Sequence, residues 1–273
     1  MITDLDPPII KTLKGNNIGK DIAIVVGIHG NEKGPQLEWD WLNSLHIDSG
    51  TVYLIFANPT ACKLNQRFVN VNLNRRFGKS LNEYPEDKIA RKIETILDKC
   101  DAMLDLHMYN EAMNRPFVIC SAKSNEVAQI LPARYIVNLP DDVDGGATDD
   151  YMNMNGKYGV CFETGSVERP SSYSEIIKDG VLSFLAKFDL MDHEVKINNA
   201  KILSKNMTKI VENKDIKFSK TYSSFDPIHS GEIICVENGK SYRAESDGYI
   251  LFPRPNNPIG TEAYYTLVKS NSG

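Results

Sequence analysis

The sequence predicts an α/β fold, a sheet covered by helices on each side, followed by a small all-β domain. Apolar runs of strand length alternate with segments of helical period as far as residue 195. Those runs are apolar throughout, as in strands buried on both faces. From Lys196 onward the runs shorten and lie between Gly, Pro and Asn turns.

In order along the chain, DIAIVVG (21–27) is the first buried strand, a helix is expected near 35–45, and TVYLIFA (51–57) is the next strand. A helix near 86–99 leads to DAMLDLH (101–107). PFVICS (116–121), a helix near 124–131, RYIVNL (134–139), YGVCFE (158–163) and a helix near 173–189 complete a first domain placed at residues 1–195. A second domain, 196–273, contains GEIICVENG, KSYRAESDGYILF and EAYYTLV as short strands. No internal repeat is present, and the terminal SNSG is expected to fray.

At 273 residues the chain can bury a large core, and 41% hydrophobic with 25% charged residues is a globular composition that excludes disorder on a domain scale. A net charge of -5 argues against nucleic acid or an anionic membrane as the main partner, because both need a basic face. No run of about eighteen apolar residues occurs, and MITDLDPPIIKTLKG lacks a basic start followed by an apolar stretch, so the chain reads as soluble and cytoplasmic. The five cysteines are odd in number and include no C-x-x-C pair. Buried thiols are expected, not a disulfide framework or a thiolate zinc site.

The first chemical signal is GIHGNE (27–32), where a buried strand ends and a helix is about to begin. Open α/β sheets place their sites at the carboxyl ends of strands. His29 and Glu32 offer a nitrogen and a carboxylate, both of which Zn2+ accepts, and Gly27 and Gly30 permit a sharp turn around them. His229 and Glu232 in HSGE repeat the spacing but lead into a strand of the β domain, so they read as a surface turn. A catalytic zinc takes three protein ligands and keeps one position open. His107, at the end of DAMLDLH, is the third candidate, with Asp105 on the same strand face as a carboxylate that could orient its ring. Taken alone, His107 also fits a strand-end histidine bonded to backbone. His46 and His193 read as solvated surface residues.

RFVNVNLNRRFG (67–78) concentrates Arg67, Arg75 and Arg76 with Asn70, Asn72 and Asn74. Guanidinium groups bind carboxylates through two parallel hydrogen bonds, which suggests an anionic substrate or a developing oxyanion; a solvated basic loop is the alternative, and the one expected for Arg76. GVCFETG (159–165) ends an apolar strand on Glu163, which is either at a surface or beside a metal as the base for its water.

His-x-x-Glu, Arg followed by Asn-Arg, Asp-Leu-His and Glu-x-Gly, in that order, resemble the aspartoacylase and succinylglutamate desuccinylase family, relatives of the zinc carboxypeptidases. The likeness is specific in GIHGNE and in Arg67-x6-Asn74-Arg75, and extends through DLH and FETG to TEAYY (261–265). It implies a zinc-carboxypeptidase-like mixed sheet flanked by helices, with the β domain covering the active-site mouth. It also implies one Zn2+ per chain held by His29, Glu32 and His107, Glu163 as general base, Arg67 as oxyanion stabiliser, and Asn74 with Arg75 on the substrate carboxylate. Tyr265 fits the family's substrate-binding tyrosine better than Tyr264, although the tail motif is one alanine shorter here. The implied partner is a small N-acyl amino acid, cleaved at its amide bond by a metal-activated water; a homo-oligomer is compatible with the sequence. Two other readings stay open: a zinc carboxypeptidase acting on short peptides, and a binding relative without turnover. Where aspartoacylases carry an arginine ten residues before the catalytic glutamate this chain has Asn153, and where they carry a tyrosine four residues earlier it has Asp149. An acidic substrate side chain is therefore disfavoured, and neutral or basic ones are expected.

Overall fold

The computed structural model describes residues 2–110, 115–139 and 145–270. The chain divides into two compact units, Met1–Ala200 and Lys201–Gly273.

The first unit runs β1 (Ile9–Lys14), β2 (Asn17–Val26), α1 (Lys33–Leu37), α2 (Trp39–Asn43), β3 (Ser49–Phe56), α3 (Pro59–Leu64), α4 (Pro85–Leu97), β4 (Ala102–Tyr109), β5 (Phe117–Cys120), α5 (Asn125–Ala128), β6 (Tyr135–Asn138), α6 (Thr148–Met154), β7 (Tyr158–Ser166) and α7 (Ser174–Lys187). Its strands lie in the spatial order β1-β3-β2-β4-β7-β5-β6. β3-β2-β4-β7 are parallel, β5 and β6 are parallel, and the β1/β3 and β7/β5 pairs are antiparallel, so the sheet is mixed as expected.

β4 is buried at every position, which only a central strand covered on both faces can be. α4 starts on Pro85, whose fixed φ suits a first helical turn, and lays Ile89, Ala90, Ile93 and Leu97 into a core with Ala23, Val25, Ile55 and Met103. Burying one such large side chain contributes about 1.5–3 kcal/mol. On the opposite face α7 packs so closely that a Cβ at Gly180 would come within 2.7 Å of the Phe162 ring. Phe162 and Glu163 are neighbours on β7 and point to opposite faces, so α7 covers the side away from Glu163.

The second unit contains β8 (Lys201–Ile210), β9 (Lys217–Phe218), β10 (Pro227–Ile228), β11 (Ile233–Glu237), β12 (Lys240–Arg243), β13 (Gly248–Leu251) and β14 (Glu262–Lys269). β8-β14-β13-β10 and β12-β11-β9 are antiparallel sets around Tyr264, Ile234, Ile250 and Ile228. β11 and β12 are joined by Asn238-Gly239, both at positive φ (50° and 72°), the two-residue hairpin that this dipeptide favours. Lys209, almost fully buried, sits 2.6 Å from Glu237 Oε2 and 3.8 Å from the centre of the Tyr242 ring.

The helix expected at 35–45 is two short helices divided at Glu38, and the one expected at 124–131 contracts to α5. β1, α3 and α6 fall where no element was expected. β1 is an edge strand of mostly exposed residues held by its pairing with β3. α3 is set by Pro59 and by the Asn58 side chain, which accepts from Ala61 N at 3.1 Å. α6 lies in a Gly-, Asp- and Asn-rich stretch that reads as turn. All five cysteines are buried as thiols. No described helix is long and apolar enough to cross a membrane.

Candidate active site

β2 ends at Val26, and Gly27 turns the chain with φ at 71°, in the region that costs glycine nothing. Gly30 is demanded by space, since a Cβ there would meet the Ala61 carbonyl of α3 at 2.1 Å. The turn is pinned from α1 by Gln36, whose Nε2 donates to the carbonyls of His29, Gly30 and Glu32 at 3.0–3.2 Å. His29 and Glu32 are thereby held inward, each 3% exposed.

His107 projects from β4 beside β2. The Nδ1 atoms of the two imidazoles converge on the Glu32 carboxylate, His29 at 2.6 Å from Oε1 and His107 at 2.9 Å from Oε2. Met108 N donates to Oε2 at 3.0 Å and Arg67 Nη1 to Oε1 at 3.0 Å. Ligand atoms of His29, Glu32 and His107 all lie within 4.8 Å of one another. Two imidazole nitrogens and a carboxylate in one buried space form a donor set that suits zinc.

Each outer ring nitrogen faces a side-chain oxygen, the arrangement that orients a metal-binding imidazole. His29 Nε2 is 3.1 Å from Asn72 Oδ1. His107 Nε2 is 2.9 Å from Asp105 Oδ2, an oblique contact short of straight hydrogen-bond geometry. Burial pushes the His29 imidazole down to about 4 against the pull of Glu32. For His107 burial acts the same way, but the Asp105 and Glu32 carboxylates outweigh it and hold the ring well above its ordinary value. Burial raises Glu32, yet the two imidazoles outweigh it and leave that carboxyl low.

The parallel register of β4 and β7 pairs Asp105 with Cys161 and His107 with Glu163. Partners in register point to one face, so Glu163 stands beside His107, and ligand atoms of His107, Cys161 and Glu163 also fall within 4.8 Å of one another. Glu163 is 8% exposed, which settles its surface-or-site alternative in favour of a buried position. Asn74 is buried, and its Oδ1 accepts from Thr148 N at 3.1 Å. Arg75 is exposed, with Nη1 on the Asn74 carbonyl at 2.8 Å. Arg76 corrects the solvated-loop expectation: it is turned inward and clamps the fully buried Asp87 through Nε at 2.6 Å and Nη2 at 3.2 Å. Tyr265 lies half-buried on β14 of the second unit, whereas Tyr264 is sealed in that unit's core. HSGE forms an exposed turn there, with His229 Nδ1 3.6 Å from Asp247.

On α6, Asp149 is buried, and burial, with Asp150 and Asp105 near it, pushes its carboxyl up to about 8. Asn153 Oδ1 accepts from Gly159 N at 3.0 Å and Ser124 Oγ at 3.1 Å, which ties α6 to β7. Gln36 and Thr148 were not singled out from the sequence. One helical turn separates Gln36 from Glu32, a spacing that points to it; nothing local marks Thr148.

A profile of the succinylglutamate desuccinylase/aspartoacylase catalytic domain matches residues 18–186. A succinylglutamate desuccinylase of Shewanella frigidimarina is 24% identical over 288 residues, covering 92% of this chain and 83% of the relative. The crystal structure of a succinylglutamate desuccinylase from Vibrio cholerae superposes with a TM-score of 0.80 at 19% identity, covering 98% of this chain and 93% of that one. The product-bound ectoine utilization protein of Ruegeria pomeroyi has a TM-score of 0.75 at 19% identity, covering 95% and 88%.

Proposed function

The chain belongs to the succinylglutamate desuccinylase/aspartoacylase family, and from that premise we propose that it is a zinc-dependent amidohydrolase that removes the acyl group from an N-acyl amino acid. The observation that carries the reading is the convergence of His29 Nδ1, His107 Nδ1 and the Glu32 carboxylate in one buried space, with Glu163 on the adjacent strand. His29, Glu32 and His107 would hold one Zn2+ per chain. When bound there, zinc supplies the Lewis acidity that makes water nucleophilic near neutral pH and polarises an amide carbonyl.

Glu163 is the general base. It takes a proton from the attacking water as the water's oxygen bonds to the amide carbon, and returns that proton to the amine nitrogen as the C–N bond breaks. Arg67, whose guanidinium already reaches the Glu32 carboxylate, donates to the oxygen on which negative charge develops. A donor aimed at charge present only in the transition state contributes about 2.7–4 kcal/mol. Asn74 and Arg75 hold the substrate's α-carboxylate, Arg75 through its fork of N–H groups. Asp105 fixes the His107 ring. Tyr265 is assigned to the substrate by its motif alone.

Burial and the nearby Asp150 and Asp105 keep the Asp149 carboxyl protonated up to about 8, and the same dry, acidic surroundings disfavour a carboxylate on the substrate side chain and favour a neutral or basic one. Metal analysis joined to a panel of N-acyl amino acids tests the proposal. About one zinc per chain is expected, lost together with activity in His107→Ala, and kcat/KM for acetylaspartate should fall below that for acetylated neutral or basic amino acids. Full zinc occupancy in His107→Ala would sink the ligand set. A clear preference for acetylaspartate would reverse the side-chain assignment.

A further inference from the structure

The two halves of the site are bridged by one residue of α6. Thr148 is fully buried and uses both of its hydrogen-bond donors inward. Its Oγ1 donates to Asp105 Oδ2, the oxygen that faces His107 Nε2. Its backbone N donates to Asn74 Oδ1 at 3.1 Å. Asn74 N in turn donates to Asn72 Oδ1 at 3.0 Å, and that oxygen lies 3.1 Å from His29 Nε2. The chain His107, Asp105, Thr148, Asn74, Asn72, His29 thus closes a ring around the metal donors through a single threonine.

We propose that Thr148 is a positioning residue that sets the metal-binding imidazole of His107 and the carboxylate-binding amide of Asn74 in one frame, so that zinc and substrate are presented to each other in fixed register. The proposal rests on the zinc amidohydrolase reading above. The hydroxyl acts on the metal side. Asp105 Oδ1 is buried with no hydrogen-bond partner among the described residues, so the carboxylate is oriented through Oδ2, by the Thr148 hydroxyl on one side and the His107 ring on the other. The backbone N–H acts on the substrate side. With Asn74 Oδ1 occupied by Thr148 N, the donor left to face a substrate carboxylate is Nδ2, the polarity such a ligand requires. Threonine suits the place because the hydroxyl and the amide of one residue diverge towards two partners, and the start of α6 leaves that amide without an intrahelical acceptor.

The two roles separate by mutation. Thr148→Val removes the hydroxyl and keeps the amide; Thr148→Ser keeps both. Outer partners of metal-binding histidines are worth about 10–100-fold in metal affinity. Thr148→Val should raise the zinc dissociation constant, measured by competition with a chelator, by about that factor, and should lower kcat while KM stays within about twofold, because the Asn74 anchor remains. Thr148→Ser should behave as wild type on all three. A metal-free arm reads the 15N resonances of the His107 ring, which should move in the Val variant and not in the Ser variant. Should Thr148→Val fail to fold, Thr148→Ala removes the same hydroxyl and is judged in the same way. Wild-type zinc affinity with an unmoved His107 ring in the hydroxyl-free variant overturns the proposal, as does a Ser variant as impaired as Val. A wild-type chain that takes up no zinc defeats the metal reading alone, and the His107 resonances then decide on Thr148.

Discussion

Glu32 gathers four nitrogen atoms on its two oxygens, His29 Nδ1 and Arg67 Nη1 on Oε1 and His107 Nδ1 and Met108 N on Oε2. Glu163, the proposed base, lies on the next strand beside His107. Glu163→Gln keeps the side-chain shape and loses the basicity. Zinc content and thermal stability should stay near wild type while kcat falls by roughly 10²-fold or more; a wild-type rate in that variant would assign the base to another group. Asp149 makes a different kind of test. Its folded value of about 8 lies above the unfolded carboxyl value, so between the two the folded chain holds a proton that the unfolded chain has released. Stability must then fall as pH rises through that window, by at most about 1.4 kcal/mol per pH unit from this group. The metal-free Asp149→Asn protein should gain on wild type progressively from about pH 5 to about pH 8. Urea midpoints at several pH values check this, and a gap that does not widen would remove the titration.

At the scale of elements, the loop carrying Arg67, Asn72, Asn74 and Arg75 sends Leu73 and Phe77 into the core, and α4 holds the rest of it with buried carboxylates. Glu86 accepts from Asn70 N at 2.7 Å and Val71 N at 3.3 Å, Asp87 clamps Arg76, and Glu94 accepts from Gly78 N at 2.7 Å. Asp87 also accepts from the backbone N of Glu83 and Tyr84 at 2.8 and 2.9 Å, which caps the start of α4. Its removal leaves Arg76, at a side-chain exposure of only 14%, with the 4.0 Å contact to the exposed Glu83 carboxylate, and two backbone donors without their acceptor. Asp87→Ala should cost roughly 2–4 kcal/mol in chemical denaturation. Because the anchored loop presents Asn74 and Arg75, KM should also rise, and unchanged KM in a destabilised variant would separate the clamp from the substrate.

Over the whole molecule, the residues assigned to zinc, base and oxyanion come from separated stretches of chain, and what unites them is the order of strands in the sheet. The alternation of apolar runs and helical segments determined the α/β class, because a strand buried on both faces can tolerate little but apolar residues. The same logic exposed His29, His107 and Glu163 as candidates: each ends an apolar run with a polar group, and strand ends are where such a sheet opens. GIHGNE was legible as a unit because its glycines answer local demands, a positive φ at Gly27 and the close approach of α3 at Gly30. Pairing was not local. That β4 lies between β2 and β7, bringing His107 against Glu32 on one side and Glu163 on the other, is a matter of register between strands whose partners, Ile22 with Ala102 and Ala102 with Tyr158, are far apart in sequence. The inward turn of Arg76 and the bridging place of Thr148 had no signal in their neighbourhoods, because the partners that define them, Asp87, Asp105 and Asn74, are supplied by other elements. Which side chains could do chemistry, and at which strand ends they stand, is written in the order of residues; which of them meet follows from strand pairing, because hydrogen bonds and ion pairs across a sheet depend on distances that no spacing along the chain encodes.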